Sequence, residues 1–123
     1  MEDIATCIIK HKNKYLFLLN GEIKGDFWGN PSGHIEEDEI PLETVKREVF
    51  EETSITVEPK YLKEMKVTED GKIYKKHLFF QEFNKRPNVV LSNEHNGFGW
   101  FTIEGAKKLN LLDSVRKSLT YFK

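Results

Sequence analysis

The sequence predicts an α/β fold: a three-layer α/β/α sandwich built on a mixed β-sheet. Three observations lead there. Stretches rich in β-branched and aromatic residues alternate with helical patterns, without a strict βαβ rhythm. One long helical pattern sits mid-chain and two shorter ones follow near the C-terminus. The length of 123 residues suits one hydrophobic core and is too short for two, so residues 1–123 are expected to form a single domain.

Ile4 to Lys10 reads as a strand, and Tyr15 to Leu19 as a second. His11-Lys12-Asn13-Lys14 is the polar turn that would make them a hairpin. Asn20 to Gly33 carries Gly21, Gly25, Gly29, Pro31 and Gly33, a density of turn residues that predicts an irregular loop. Glu39 to Thr53 reads as a helix, with Pro41 in its first turn and acidic residues crowding its N-terminal end. Leu42, Val45 and Val49 recur at i, i+3 and i+7 and predict its buried stripe. Tyr61 to Val67 and Ile73 to Phe83 read as strands around the turn Glu69-Asp70-Gly71. Phe98 to Thr102 reads as a short strand, and Ile103 to Leu109 and Ser114 to Phe122 as helices.

Composition narrows the function classes. Hydrophobic residues make up 38% and charged residues 32%, the balance of a globular chain, neither disordered nor fibrous. A formal net charge of -1 gives no general field for nucleic acid or anionic membranes, so a polyanionic substrate must be handled locally. No apolar run approaches the roughly 20 residues of a membrane helix. The acidic start Met1-Glu2-Asp3 lacks the pattern of a signal peptide, and the lone Cys7 sits in an apolar run as an inert buried thiol. The expected setting is a reducing cytoplasm.

The chemistry lies in residues 33–55, GHIEEDEIPLETVKREVFEETSI. On a helix Glu48, Glu51 and Glu52 stand at i, i+3 and i+4, so they share a face, which the pattern sets opposite the Leu42/Val45/Val49 stripe. Three carboxylates stacked there repel one another unless a cation binds, and magnesium favours such oxygen donors together with waters and phosphates. A solvated acidic face is the plain alternative.

The whole segment resembles the Nudix box: glycine, five residues, Glu, seven residues, Arg-Glu, an apolar residue, any residue, Glu-Glu, any residue, glycine and an apolar residue. Gly33, Glu39, Arg47, Glu48, Val49, Glu51, Glu52 and Ile55 match it. Ser54 departs, standing where the box has its last glycine, and Pro-Ser-Gly at 31–33 replaces the common Pro-Gly-Gly. The resemblance implies a Nudix-like α/β/α sandwich and a pyrophosphohydrolase that needs Mg²⁺, with Mn²⁺ as an alternative. It implies that Glu48, Glu51 and Glu52 bind the metal together with the Ser32 carbonyl. Arg47 would orient Glu48, and Glu39 and Gly33 would support the geometry around the ligands.

Downstream, Asn93-Glu94-His95-Asn96-Gly97 resembles the family's acidic loop. Glu94 is therefore a candidate general base or further metal ligand, with Glu48 its rival as the base, and His95 a candidate phosphate contact. Ordinary exposed loop residues are the alternative. His34 is a candidate for the phosphates or for solvent, while His11 and His77 lack a metal-ligand spacing partner. Asp113 is a candidate for the nucleobase, against the simpler role of helix N-cap. Lys72, Lys75 and Lys76 could meet a polyphosphate, but a solvated turn is the stronger reading. Phe27, Trp28, Tyr74, Phe79, Phe80, Trp100 and Phe101 are candidates to stack on a base, although most must fill the core.

The expected activity is hydrolysis of a nucleoside triphosphate or dinucleoside polyphosphate by a monomer or homodimer with no membrane partner. RNA is expected only as a 5′ end, since a long RNA footprint would want a basic stripe. A nucleotide-binding regulatory module with little turnover is the second reading, disfavoured because every glutamate of the box is present.

Overall fold

A computed structural model of the chain describes residues 2–21, 26–69 and 71–123. Gly25 of the expected loop and Asp70 of the expected turn lie outside the described residues. Strand β1 (Glu2–His11) is the axis of the sheet. It turns into β2 (Lys14–Asn20) through a hairpin in which Lys12 has φ 56°, and the two strands pair only at Lys10↔Tyr15 and His11↔Lys14. Beyond the hairpin they part. β1 takes β4 (Ser32–His34) as an antiparallel neighbour, and β2 takes β3 (Phe27–Gly29) and β7 (Gly97–Phe101). On its other edge β1 runs parallel to β6 (Lys72–Phe83), from Glu2↔Tyr74 to His11↔Phe83, and β5 (Lys60–Glu69) closes that side antiparallel to β6. Parallel and antiparallel ladders thus share one sheet, as the interleaved sequence pattern requires.

Period-two alternation on β1 sorts the core into two layers. Ala5, Cys7 and Ile9 point to one face and pack with Leu16, Leu18, Phe79 and Trp100 beneath Val45 and Val49 of α1 (Pro41–Thr53). Ile55 and Val57, just past that helix, join the same layer. On the opposite face Tyr15 and Phe17 meet Ala106 of α2 (Ile103–Ala106), and Val115 of α3 (Asp113–Ser118) with Leu119 beyond it. The result is the expected three layers. Cys7 is fully buried, and desolvation pushes its thiol up to about 12, so it stays protonated.

Four details correct the sequence reading. The buried face of α1 is Thr44, Val45, Val49, Glu52 and Thr53, so Leu42 lies on the exposed flank and polar residues complete the stripe. Apolar periodicity could not register them. The last two helices are shorter: α2 stops at Ala106, and a 3₁₀ turn, Leu119–Tyr121, follows α3. Thr102 ends no strand; it is the α2 N-cap, its hydroxyl accepting from the Gly105 N–H at 3.1 Å. Asp113 is the first residue of α3 and not its cap, which is Leu112; its carboxylate is exposed and pairs with Lys117 at 3.2 Å.

Ser54 closes α1 in the left-handed conformation, φ 62° and ψ 19°, its N–H donating to the Phe50 carbonyl at 2.9 Å. A Cβ in that region clashes with the backbone, at a cost on the order of 1 kcal/mol that glycine avoids. Ser54→Gly is therefore expected to stabilise the chain by up to about 1 kcal/mol in thermal denaturation, with turnover little changed. Lower stability would mean that the weak 3.4 Å bond from the Ser54 hydroxyl to the Val90 carbonyl outweighs the backbone strain.

Candidate active site

The C-terminal half of α1 lies against β4, and this contact builds the site. β4 is held from both sides of its start: the Cys7 N–H donates to the Pro31 carbonyl at 2.9 Å, and Ser32 pairs with Thr6 across the ladder. The Ser32 N–H in turn donates to a Glu52 carboxylate oxygen at 3.2 Å. Gly33 is needed at this approach. A Cβ there would sit 2.2 Å from the Glu48 carboxyl carbon, so any side chain would displace Glu48.

Arg47 organises the acids beside it. Its Nε and one terminal nitrogen grip Glu39 at 2.7 and 2.8 Å, a two-point fork. The other terminal nitrogen donates to Glu48 at 2.8 Å and to Glu51 at 3.2 Å. Glu39 also accepts from the Glu36 N–H and the Thr44 hydroxyl, so it ties the loop before α1 to the helix. The Arg47 hydrogen bonds, more than any other contact, hold its carboxyl down at about 2. Lys46, by contrast, reaches away to Glu58 at 2.8 Å and offsets none of the three acids.

Glu52 departs most from the sequence reading. It is 5% exposed and belongs to the buried face of the helix; it does not lie opposite that face. Burial raises its affinity for a proton, and the negative charges of Glu48 and Glu94 raise it further; the Ser32 N–H opposes them. Glu94 arrives because the segment before it caps α1. The Val90 and Ser92 N–H groups donate to the Thr53 and Glu52 carbonyls at 2.9 and 3.2 Å, satisfying acceptors that a helix end leaves open. The loop returns to β2 through the Asn96 N–H, which donates to the Leu19 carbonyl at 2.9 Å. Glu52, Glu94, His95, Ser32, Asn20 and Asn30 line one polar cavity. His95 is half-buried, with Nδ1 unpartnered among the described residues, and desolvation lowers its affinity for a proton.

The donor set suits a hard divalent cation. Its side chains are oxygen donors, and the buried Glu52 carboxylate has two acidic neighbours whose fields a cation would cancel. Among the described residues no three His, Cys, Asp or Glu side chains are already gathered as a metal cluster; Arg47 pairs with Glu48 and Glu51.

The remaining candidates separate. His34 is exposed at the end of β4, its ring 6.3 Å from that of Tyr74. His77 is buried in β6, accepting from or donating to the Tyr61 hydroxyl at 3.1 Å and facing Asp3 at 3.6 Å. Phe79 and Trp100 are core, whereas Phe27 and Trp28 line a second cavity that shares Asn20, Asn30, Ser32 and His95 with the first. Lys76 also lines it and is 3% exposed, which overturns the solvated-turn reading for this lysine. The sequence held the signal: Lys76 shares the period-two face of Leu78 on β6, two residues from the core.

Comparison with known proteins agrees with this geometry. The chain is 33% identical over 60 residues to the phosphatase NudJ of Escherichia coli K12, a stretch covering 46% of this chain and 37% of that protein. The chain thus matches little more than a third of the length of that relative. Its fold superposes on the MutT protein of Methanosarcina mazei Go1 with a TM-score of 0.86, at 25% identity, over 98% of this chain and 91% of that one. An Ap4A hydrolase of C. elegans shares the fold at a TM-score of 0.84 and 23% identity, over 99% of this chain and 95% of that one. The NUDIX domain family model matches residues 1–122, and the chain belongs to the Nudix family of hydrolases.

Proposed function

We propose that the chain is a Mg²⁺-dependent pyrophosphohydrolase of nucleotides, acting on a nucleoside triphosphate or dinucleoside polyphosphate. The observation that carries this reading is the buried Glu52 carboxylate between Glu48 and Glu94, opening into a polar cavity beside one lined by Phe27 and Trp28. Carboxylates so placed repel a polyphosphate on their own and receive it only through a cation.

Glu48, Glu51, Glu52, the Ser32 carbonyl and Glu94 would hold Mg²⁺, or Mn²⁺ in its place. The bound ion would neutralise the diphosphate and acidify a water. Arg47 keeps Glu48 oriented through its Nη1 contact, while Glu39 fixes the guanidinium from behind. Glu48 or Glu94 takes the proton of the attacking water, and His95 lies beside Glu94 to meet a phosphate. The water oxygen attacks phosphorus, the bridging P–O bond breaks, and the leaving phosphate departs as an anion. The setting is cytoplasmic. Among the described residues no helix is long and apolar enough to cross a membrane.

A panel of nucleotides with Mg²⁺ tests the reading. Pyrophosphate released from triphosphates, or two nucleotides released from dinucleotides, supports it. Turnover is expected to vanish in EDTA and return with added Mg²⁺ or Mn²⁺, and full activity in chelator would end the metal mechanism.

Glu52→Gln is expected to lower turnover on the order of a hundredfold. Stability gives an independent reading. A buried carboxyl whose proton affinity is raised favours folding while protonated. That contribution is lost as pH rises above the ordinary glutamate value of about 4.5. In chelator above that pH, Glu52→Gln should melt at or above the parent temperature, and added Mg²⁺ should stabilise the parent more than the variant. A variant that simply unfolds would mean that the Ser32 N–H needs the charged partner.

Arg47→Lys keeps the charge but loses the fork. Turnover should fall on the order of tenfold or more, with the melting temperature lowered only modestly. Undiminished turnover would show that the fork does not orient Glu48.

A further inference from the structure

The second cavity, of about 160 Å³, is bounded by β1, β2, β3, β6 and the start of α3, and opens toward the carboxylates through Asn20, Asn30, Ser32 and His95. Its walls are flat and apolar: Phe27 and Trp28 from β3, Ile4 and Leu18 from the sheet, Leu112 and Val115 from the start of α3. A dry cavity of roughly 150 Å³ takes a benzene-sized ring. The lining nevertheless contains a cluster that a purely apolar ring would leave unpaired. Lys76 comes from β6, directly across the ladder from Ile4. Glu69 comes from the end of β5, and Ser114 from α3 donates its hydroxyl to Glu69. Among the described residues Glu69 is the charge that supports Lys76, and burial outweighs it, lowering the ammonium to about 8.

A buried lysine carries three donors and no acceptor. Glu69 accepts from Ser114 and supports Lys76 through its charge, with no hydrogen bond between Glu69 and Lys76 among the described residues, so the ammonium can still donate to an acceptor atom in the cavity. Three other polar atoms of the lining lack partners among the described residues: Thr6 Oγ1, Asn30 Oδ1 and, at the opening toward the carboxylates, His95 Nδ1. The Asn30 amide nitrogen is spent on the Leu16 carbonyl at 3.1 Å, which leaves its oxygen asking for a donor. A ring that carries a carbonyl oxygen on its outer edge and an N–H beside it meets both demands. An exocyclic amino group in the same place would set donor against donor at Lys76.

Resting on the nucleotide reading above, we infer that Lys76 is the specificity-determining residue of this chain, and that the cavity selects an oxo-heterocycle over its amino counterpart. The exocyclic substituent is the part of a base that reaches furthest from the sugar, so it is the part Lys76 reads. A lost hydrogen bond to a charged donor corresponds to about tenfold or more in affinity.

Inosine and adenosine 5′-diphosphates differ at one exocyclic position, oxo against amino, with the matching N–H, and serve as probes. Binding is followed by tryptophan fluorescence in EDTA and again with Ca²⁺, so that the result does not depend on turnover. The parent chain is expected to bind the inosine form about tenfold tighter, and Lys76→Met to reduce that preference to near unity. Lys76→Met keeps the length of the stem and removes a buried charge, so its melting temperature should not fall; Lys76→Arg, which keeps donors, should retain part of the preference. Equal binding of the two diphosphates by the parent, no binding of either, or an unchanged preference in a folded Lys76→Met would each overturn the inference. Discrimination in a protein that hydrolyses neither triphosphates nor dinucleoside polyphosphates under Mg²⁺ would uphold the inference while removing the enzymatic reading.

Discussion

Glu52 is a carboxylate buried within reach of two others, and the elements around it are arranged to keep it there. In water such a group would hydrate; here it has one N–H, from Ser32, and the fields of Glu48 and Glu94. Leaving a charge so poorly compensated is costly unless the group takes up a proton or gains a cation. Three constraints hold the geometry against that cost. Val45 and Val49 anchor α1 to the sheet, Gly33 allows Glu48 to close on β4, and the Val90 and Ser92 N–H groups fasten the Glu94 segment to the end of the helix.

Arg47 balances the same charges from outside. Its fork on Glu39 is partly exposed, so its energetic worth is modest; its value is directional, because the remaining nitrogen is aimed at Glu48 and Glu51. The acids thereby divide into two kinds. Glu39 is held by Arg47 as a permanent anion, whereas Glu52 sits where burial and neighbouring charge favour a proton. One stands in the loop just before the helix, and the other on the helix's core flank.

The sequence was most legible where the information is local. The box spacing indicates which glutamates stand about one helical turn apart, because helical geometry fixes what lies at i+3 and i+4. Alternating apolar runs indicate the longer strands and Pro41 the helix start, whereas the short β3 and β4 fall in or at the end of the segment read as an irregular loop. It was least legible where polar residues are buried. Thr44, Glu52 and Thr53 occupy the inner face of α1, and Lys76 the inner face of β6, positions at which a count of apolar residues sees nothing. Leu42 erred in the opposite direction: it is an apolar residue in the first turn of α1 that still meets solvent. Glu94 was found by likeness to a loop pattern, and the reason it reaches Glu52 is tertiary, two backbone hydrogen bonds across the chain.

The parallel ladder between β1 and β6 has a kinetic meaning as well. Its rungs run from Glu2↔Tyr74 to His11↔Phe83, so the first strand of the chain waits for one that is synthesised long after it. Everything between them, including α1 and its carboxylates, is the loop that this pairing must close. Long-range closure of this kind is entropically slow, and parallel pairing offers no hairpin shortcut. During synthesis β1 and β2 can form their hairpin early, but the β1 edge that later receives β6 stays open, an adhesive strand awaiting its neighbour. Crowded production of this chain should therefore favour association of unfinished molecules through that edge, and slower synthesis should favour the native sheet.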